Sequence, residues 1–559
     1  MEHAALHALL LSGLIVALGG PIAVLWLIFP AARTFTPDAD HDRFTASMLQ
    51  SVARWIRYGA FAAILATFID FFVQIAELQG QTVFGGADFS MVIRFATQTI
   101  VGQLCLVRVA LLLLTACATG LPACAAGLRG RRHWWFVAVL ALGSVIATSL
   151  VSHAAAQPEN RPVAIAAQIA HITASALWMG VLLHLFFARG IMFSSTSQHR
   201  VAFIAEMVRR FAPVALAMTS LLGITGVIAA YRYLSTPGLI FESPYGLTLV
   251  IKIIMLTPAI YAGYINFKFI GPRLLGLATT ENEDPITIGG VFSWFSRTLE
   301  LEVTSGLLVI TVAGILGSVS PPADDGSQRL TSVQAHTLIT PHRPNTDIRG
   351  WNEPDNPRDY TDANKRYSTF THNWDGLAVC LMGVGWMAQS MRGRIGLWGS
   401  RLSPFLLVPF GLFIAFASNP ELWLLHQVDP WTALTNPGLL EHQLASAMVL
   451  LLAWLSWRDR KNPEEKRPLG YPLPIVMIAG SILLIGHAHS ATTMPDDLTN
   501  LINVQHAILG SFVLFAGTSR LLILRRLLPA PAARIARFFW PACIIGLGLF
   551  MAFFYSELP

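Results

Sequence analysis

Charge is what this sequence has least of. Asp, Glu, Lys and Arg make up 13% of its 559 residues, about half their share in a soluble domain. Hydrophobic residues make up 54%. That balance excludes an ordinary soluble globule and points to a chain that crosses a membrane many times. The net charge is only +6, and no Lys/Arg-rich run has aromatics interleaved, so no nucleic-acid partner is expected. Cysteines number five, at 105, 117, 124, 380 and 543, with no CxxC and no CxxCH among them. Their spacing excludes a zinc ribbon and c-type haem attachment. Also missing are GxxxxGK[ST], the Asp-Lys-Thr-Gly phosphorylation site of ion-pumping ATPases, and a GxSxG elbow. With no nucleophile constellation, the chain is not expected to be an enzyme. Any transport would draw on a gradient or on a partner's affinity. The opening MEHAALHALLLSGLIVALGG lacks a basic start and is too long in its apolar run for a signal peptide, so it reads as a retained first span.

Long apolar runs are what is present. A bilayer core takes about 20 apolar residues per helix. Fourteen segments qualify: roughly 5–29, 56–78, 98–120, 134–152, 164–188, 212–231, 246–268, 299–319, 373–391, 402–418, 441–457, 472–487, 500–524 and 538–555. Only helices satisfy their own backbone over such lengths in lipid, so the expected fold is all-α: a polytopic membrane protein of about fourteen transmembrane helices, eight plus six in two bundles. A polar, Pro-rich stretch separates the two sets. The expected division is 1–322, a linker at 323–371, and 372–559.

Basic residues set the orientation. LRGRRHW, MRGRIGLWGSR and SWRDRKNPEEKR belong to one set of loops, while SHAAAQPENRP and GHAHSATTMPDDLTN belong to the alternate, base-poor set. The first set is expected in the cytoplasm, which puts both termini on the periplasmic side of a bacterial inner membrane. Of the sixteen histidines, only His41, His133, His184 and His199 then fall near the cytoplasmic face. The other twelve, His3 and His7 among them, fall outside or in the outer half of a span. Polar residues collect at helix ends in any case, yet the equally polar inner loops hold few imidazoles.

Imidazole suits copper, zinc, nickel and iron, and thioether adds a preference for Cu(I). His487 and His489 stand two apart in an outer loop, with Met494, Asp496 and Asp497 close behind. The stretch has an echo: His153 and His171 are spaced much as His487 and His506 are, each pair straddling an outer loop and the following span. His171 should lie about 10 Å below His153, a mouth ligand and a deeper one for an entering ion. Ser175 and Trp178 share its helix face. A histidine or lysine inside a span is costly unless it is paired or lines a cavity. Lys252, about seven residues into its span, therefore joins Trp178 as a candidate for the transport path. Asp70, Arg108, Glu300 and Glu302 are further ionisable groups, with ordinary solvation expected for the two glutamates. His372 and Asp375, at i and i+3, place a carboxylate where it would orient an imidazole. The candidate metal ligands are thus His153, His171, His372, His442, His487, His489, His506 and Met494.

Two readings of these histidines compete with ion transport. His442 and His506, both near the outer third, would suit the two axial positions of a haem b in a membrane cytochrome. A copper assembly factor would bind metal at the outer loops without moving it across.

The sequence also resembles a family. SHAAA at His153, AHITASALWMGVLLHL through His171, Trp178 and Gly180, RRFAPVAL at Arg210, SPYGLTLVIKI at Pro244 to Ile253, and the closing SPP at Pro321 and Pro322 are similar to the copper resistance protein D (CopD) family of bacterial inner-membrane proteins. The resemblance covers residues 1–322, with Ser152 where the family usually has Gly. It implies copper handling at the inner membrane, usually as uptake beside a periplasmic copper-binding protein, with His153 and His171 as candidate ligands. Residues 372–559 resemble C-terminal extensions on some members.

Overall fold

A computed structural model describes residues 2–33, 39–79, 88–120, 130–156, 160–280, 284–319, 321–322, 329–353, 361–391, 393–435, 437–459, 470–486 and 496–558. Helices dominate, and no strand occurs among the described residues. Each of the fourteen spans expected from the sequence falls on a helix. Among the described residues, ten helical segments are long and apolar enough to cross a membrane. The other four spans fall on Arg131–Ser149, Asp362–Gln389, Pro437–Asp459 and Pro472–Gly486.

Two compact units emerge, one of residues 2–233 and 252–318, the other mainly of 234–251 and 319–558. In the first, α1 (Glu2–Ile22) packs against α2 (Ala39–Leu78), α5 (Arg131–Ser149) and α11 (Pro285–Ser318), while α4 (Ile100–Thr119) joins α2 to α5. Leu14, Ala17, Val24 and Leu27 are almost wholly buried, so the first span is a core helix and not a peripheral anchor. One close crossing sets its position. The chain from α6 (Arg161–Ser175) to α7 (Val181–Phe187) runs through a wide π turn at Ala176–Gly180. There Gly180 meets Gly19: a Cβ on Gly19 would stand 2.5 Å from the Gly180 carbonyl carbon, and one on Gly180 would strike the Ile15 carbonyl. Small residues let helix backbones approach in this way in membranes. The His184 ring, buried on α7, lies with Nε2 2.9 Å from the Val16 carbonyl and adds a polar tie at the same crossing. The remaining long helices are α8 (Gln198–Tyr233) and α9 (Pro244–Ile265), of which this unit takes the part from Lys252 onward; α9 runs on through a second π turn, Asn266–Ile270, into α10 (Gly271–Thr279).

The expected linker holds ordered structure. Thr331 and Gln334 form a reciprocal capping box that starts the short helix α12 (Ser332–Ile339). Leu330 packs with Leu501 and Val504. Further on, Asn345 donates its backbone N–H to Asn373, and its carbonyl accepts from the Trp374 indole. Arg349 beside Asp347 holds that carboxyl down to about 2. A second capping pair, Thr361 and Asn364, begins α13 (Asp362–Gln389), eleven residues earlier than the expected span at 373. Around α13 pack α14 (Arg394–Ala417) and α18 (Ala530–Phe553). α15 (Pro437–Asp459) packs on α14, and α16 (Pro472–Gly486) on α17 (Asp496–Leu524), which also meets α18.

Candidate functional site

The first unit gathers ligand-type side chains at one end of its bundle. His3 and His7 lie one turn apart on α1, so they share a face. From α2, Asp70 places Oδ1 2.9 Å from His3 Nδ1, while its Oδ2 accepts from Gln74 at 2.7 Å. The carboxylate can only accept, so it fixes the His3 proton on Nδ1 and the lone pair of the neutral ring on Nε2. His153, just past the end of α5, stands with Nε2 2.9 Å from the Gly317 carbonyl near the end of α11. A Cβ on that same Gly317 would lie 3.8 Å from His7 Nδ1. His7 Nδ1 is itself buried without a hydrogen-bond partner. Asp70, His3, His153 and Arg108 all stand near enough to act on it electrostatically. The arrangement brings three imidazoles and a carboxylate together from α1, α2 and the segment after α5. Among the described residues, no group of three or more His, Cys, Asp or Glu side chains is placed to hold a metal ion. Arg108, on α4, is 3% exposed and donates to Thr67 at 2.9 Å, which adds a fixed positive charge behind the cluster.

His171 sits deeper than the sequence suggested. α6 begins at Arg161, so ten residues, or about 15 Å, separate His171 from the start of its helix. The Thr225 hydroxyl of α8 donates to the Leu221 carbonyl at 2.7 Å and is 2.8 Å from His171 Nδ1. Its one proton is spent, so Thr225 accepts from His171 Nδ1–H, and the ring's lone pair is on Nε2. Lys252 of α9 is close enough to act on this ring. Ser175 is not a side-chain partner of His171; its hydroxyl bonds back to the His171 carbonyl at 2.9 Å. Trp178 is buried within the π turn. Glu302 departs from the expected solvation. It is 3% exposed and accepts from Asn266 at 2.8 Å, with Thr298 bonded to the same amide at 2.5 Å. The π turn at Asn266 re-aims that side chain toward α11, which hydropathy does not reveal.

In the second unit, His487, His489 and Met494 lie outside the described residues. His442 on α15 has Nδ1 3.2 Å from Asn419 Oδ1. On α17, His506 has His372 of α13 as a ring neighbour, with centroids 6.2 Å apart. The two proposed haem ligands sit on α15 and α17. His372 is oriented, but not by Asp375. Its Nδ1 lies 2.8 Å from the Ser368 carbonyl one turn earlier, whereas Asp375 Oδ1 is buried with no partner. A side chain three residues on points away from the ring that a carbonyl four residues back has already bonded.

Sequence reasoning named His3, His7 and Asp70 only as outward or ionisable groups. Asp70 lies 67 positions from His3, and only the i, i+4 spacing of His3 and His7 was visible.

Known proteins resemble this chain in the same region. The copper resistance protein D-like N-terminal domain model matches residues 3–161, which contain His3, His7, Asp70, Arg108 and His153. The copper resistance protein D model matches residues 205–316, which contain Thr225, Lys252 and Glu302. The copper transport protein CutJ of Bacillus subtilis (strain 168) is 22% identical over 223 residues, covering 39% of this chain and 37% of that protein. The chain thus spans little more than a third of the length of this curated relative. No solved structure matches. Two models of the copper resistance protein D family thus match the helices of the first unit, and together they support a role in copper handling.

Proposed function

We propose that the chain takes up copper ions from the periplasmic side of a bacterial inner membrane and passes them into its first helical unit without chemically transforming them. His3, His7, Asp70 and His153 form the capture site, and His171 is the next station. A periplasmic copper-binding protein delivers the ion. The observation that carries this reading is the convergence of three imidazoles and a carboxylate within the stretch matched by the copper-resistance domain model. Imidazole is a good copper ligand, and a carboxylate on one ring nitrogen strengthens the other. Arg108, near His7, opposes long retention of a cation. His171, with its proton held by Thr225, offers a neutral nitrogen inside the bundle where a hydrated ion has shed its water.

Proteoliposomes containing the full chain test the proposal, with external Cu(I) supplied and internal metal followed over time. Uptake that falls at least tenfold in His7→Ala and His153→Ala supports it. Metal that binds but never enters the lumen replaces transport with hand-over to a partner. No binding and no uptake in the folded wild type ends the copper reading.

A further inference from the structure

The second unit holds an imidazole pair that the proposed capture site does not use. His372 of α13 and His506 of α17 have ring centroids 6.2 Å apart with planes inclined at 41°. Were a nitrogen of each ring, about 1.1 Å from its centroid, to lie on the line between the centroids, about 4 Å would separate the two. A direct N–H···N bond takes about 3 Å. An N–metal–N bridge with two bonds of about 2.0 Å takes about 4 Å. The pair is thus set too wide to bond to itself and at the width of a single bridging ion.

His372 is also prepared as a ligand. The Ser368 carbonyl, 2.8 Å from Nδ1, holds the proton there and leaves the ring's lone pair on Nε2. Metal-binding histidines commonly carry such a carbonyl on the other nitrogen. The Tyr555 ring stacks on His372 at 4.1 Å and 12°, which fixes the plane of the imidazole. Behind it, Glu557, 4% exposed, accepts from Ser368 Oγ at 2.6 Å and from the Tyr555 hydroxyl at 2.8 Å. A buried carboxylate one residue away from the ring supplies negative charge to offset a bound cation. His506 is 8% exposed, and the pair is anchored through Gln505, which exchanges two hydrogen bonds with the Ser556 backbone.

We propose that His372 and His506 form a second copper site in the C-terminal unit, binding one Cu(I) between two nitrogens with Glu557 as its buried counter-charge. Copper as the ion rests on the functional reading above; the site itself rests on the pair. Two imidazoles with no further ligand favour the monovalent ion. Cu(II) prefers a square arrangement of ligands and Zn(II) a tetrahedral one, and both need about four.

The test is a Cu(I) titration of the purified full-length chain in detergent under anaerobic conditions, with bathocuproine disulfonate as competitor. His372→Gln and His506→Gln should each lose the same single equivalent, while His7→Ala and His153→Ala lose a different one. In the His7→Ala/His153→Ala double variant, the remaining copper should give the X-ray absorption edge of a two-coordinate nitrogen site. Glu557→Gln should keep the stoichiometry and weaken that site about 10- to 100-fold. Unchanged stoichiometry and affinity in folded His506→Gln, judged by circular dichroism and size exclusion, overturn the second site and leave the first intact. If the His372 and His506 variants prove unfolded, silver(I) titrated into the His7→Ala/His153→Ala variant decides. A rise in Tm supports the pair, and no rise contradicts it. Loss of all copper in His7→Ala/His153→Ala likewise contradicts it, while sparing the capture site.

Discussion

Protonation and orientation of single side chains decide whether this chain can hold a metal. Asp70 acts on copper through His3, whose proton it holds, so Asp70→Asn should weaken copper binding about 10- to 100-fold without removing a ligand. A competition titration reads that loss directly, and an unchanged affinity would reduce Asp70 to a structural hydrogen-bond partner. Thr225 plays the corresponding role deeper in the bundle. Thr225→Val should therefore slow uptake into vesicles about tenfold while the equilibrium copper content of the capture site stays the same. An equal loss of both would place Thr225 in the fold and not in the path. Imidazoles bind metal only when deprotonated, and the reference pKa is about 6.5. Copper affinity should accordingly rise steeply between about pH 5 and pH 7 and level off above. A flat profile over that interval would point to ligands other than histidine.

Helices bring these residues together, and their crossings are set by very small side chains. The Gly19–Gly180 contact aligns α1 with the π turn that leads into α7. Gly19→Ala inserts a methyl group where the Gly180 carbonyl carbon stands and should destabilise the unit by about 1–3 kcal/mol. Denaturation in mixed micelles measures this; a neutral result would mean that the crossing relaxes freely. At this scale the sequence was informative. Every expected span is a helix, because about 20 apolar residues in lipid have no other way to satisfy their backbone. Gly180 was visible within the ALWMG motif, though not its close partner Gly19. The polar stretch before α13 read as a linker because Pro, Asp and Asn dominate it. In fact capping pairs at Thr331 and Thr361 and the Asn345 turn give it local order.

The molecule as a whole consists of two units with different histidine neighbourhoods. Loop charge gave an expected sidedness for the imidazoles, but the partners of each ring were not legible. Hydropathy reports depth along a span and says nothing of which helices adjoin. The sequence named His171 and His153 but not their hydrogen-bond partners, Thr225 and the Gly317 carbonyl. It named His506 without its ring neighbour, His372. Glu302 was expected in water, and a π turn buries it against Asn266. Each departure arises where residues distant in sequence meet. The central claim is that His3, His7, Asp70 and His153 capture copper, and copper X-ray absorption on the purified His372→Gln variant, loaded with one equivalent of Cu(I), tests it most directly. The account predicts imidazole scattering from that ion and its disappearance on adding His7→Ala and His153→Ala. Copper that remains bound with an unaltered spectrum after those two substitutions would contradict it.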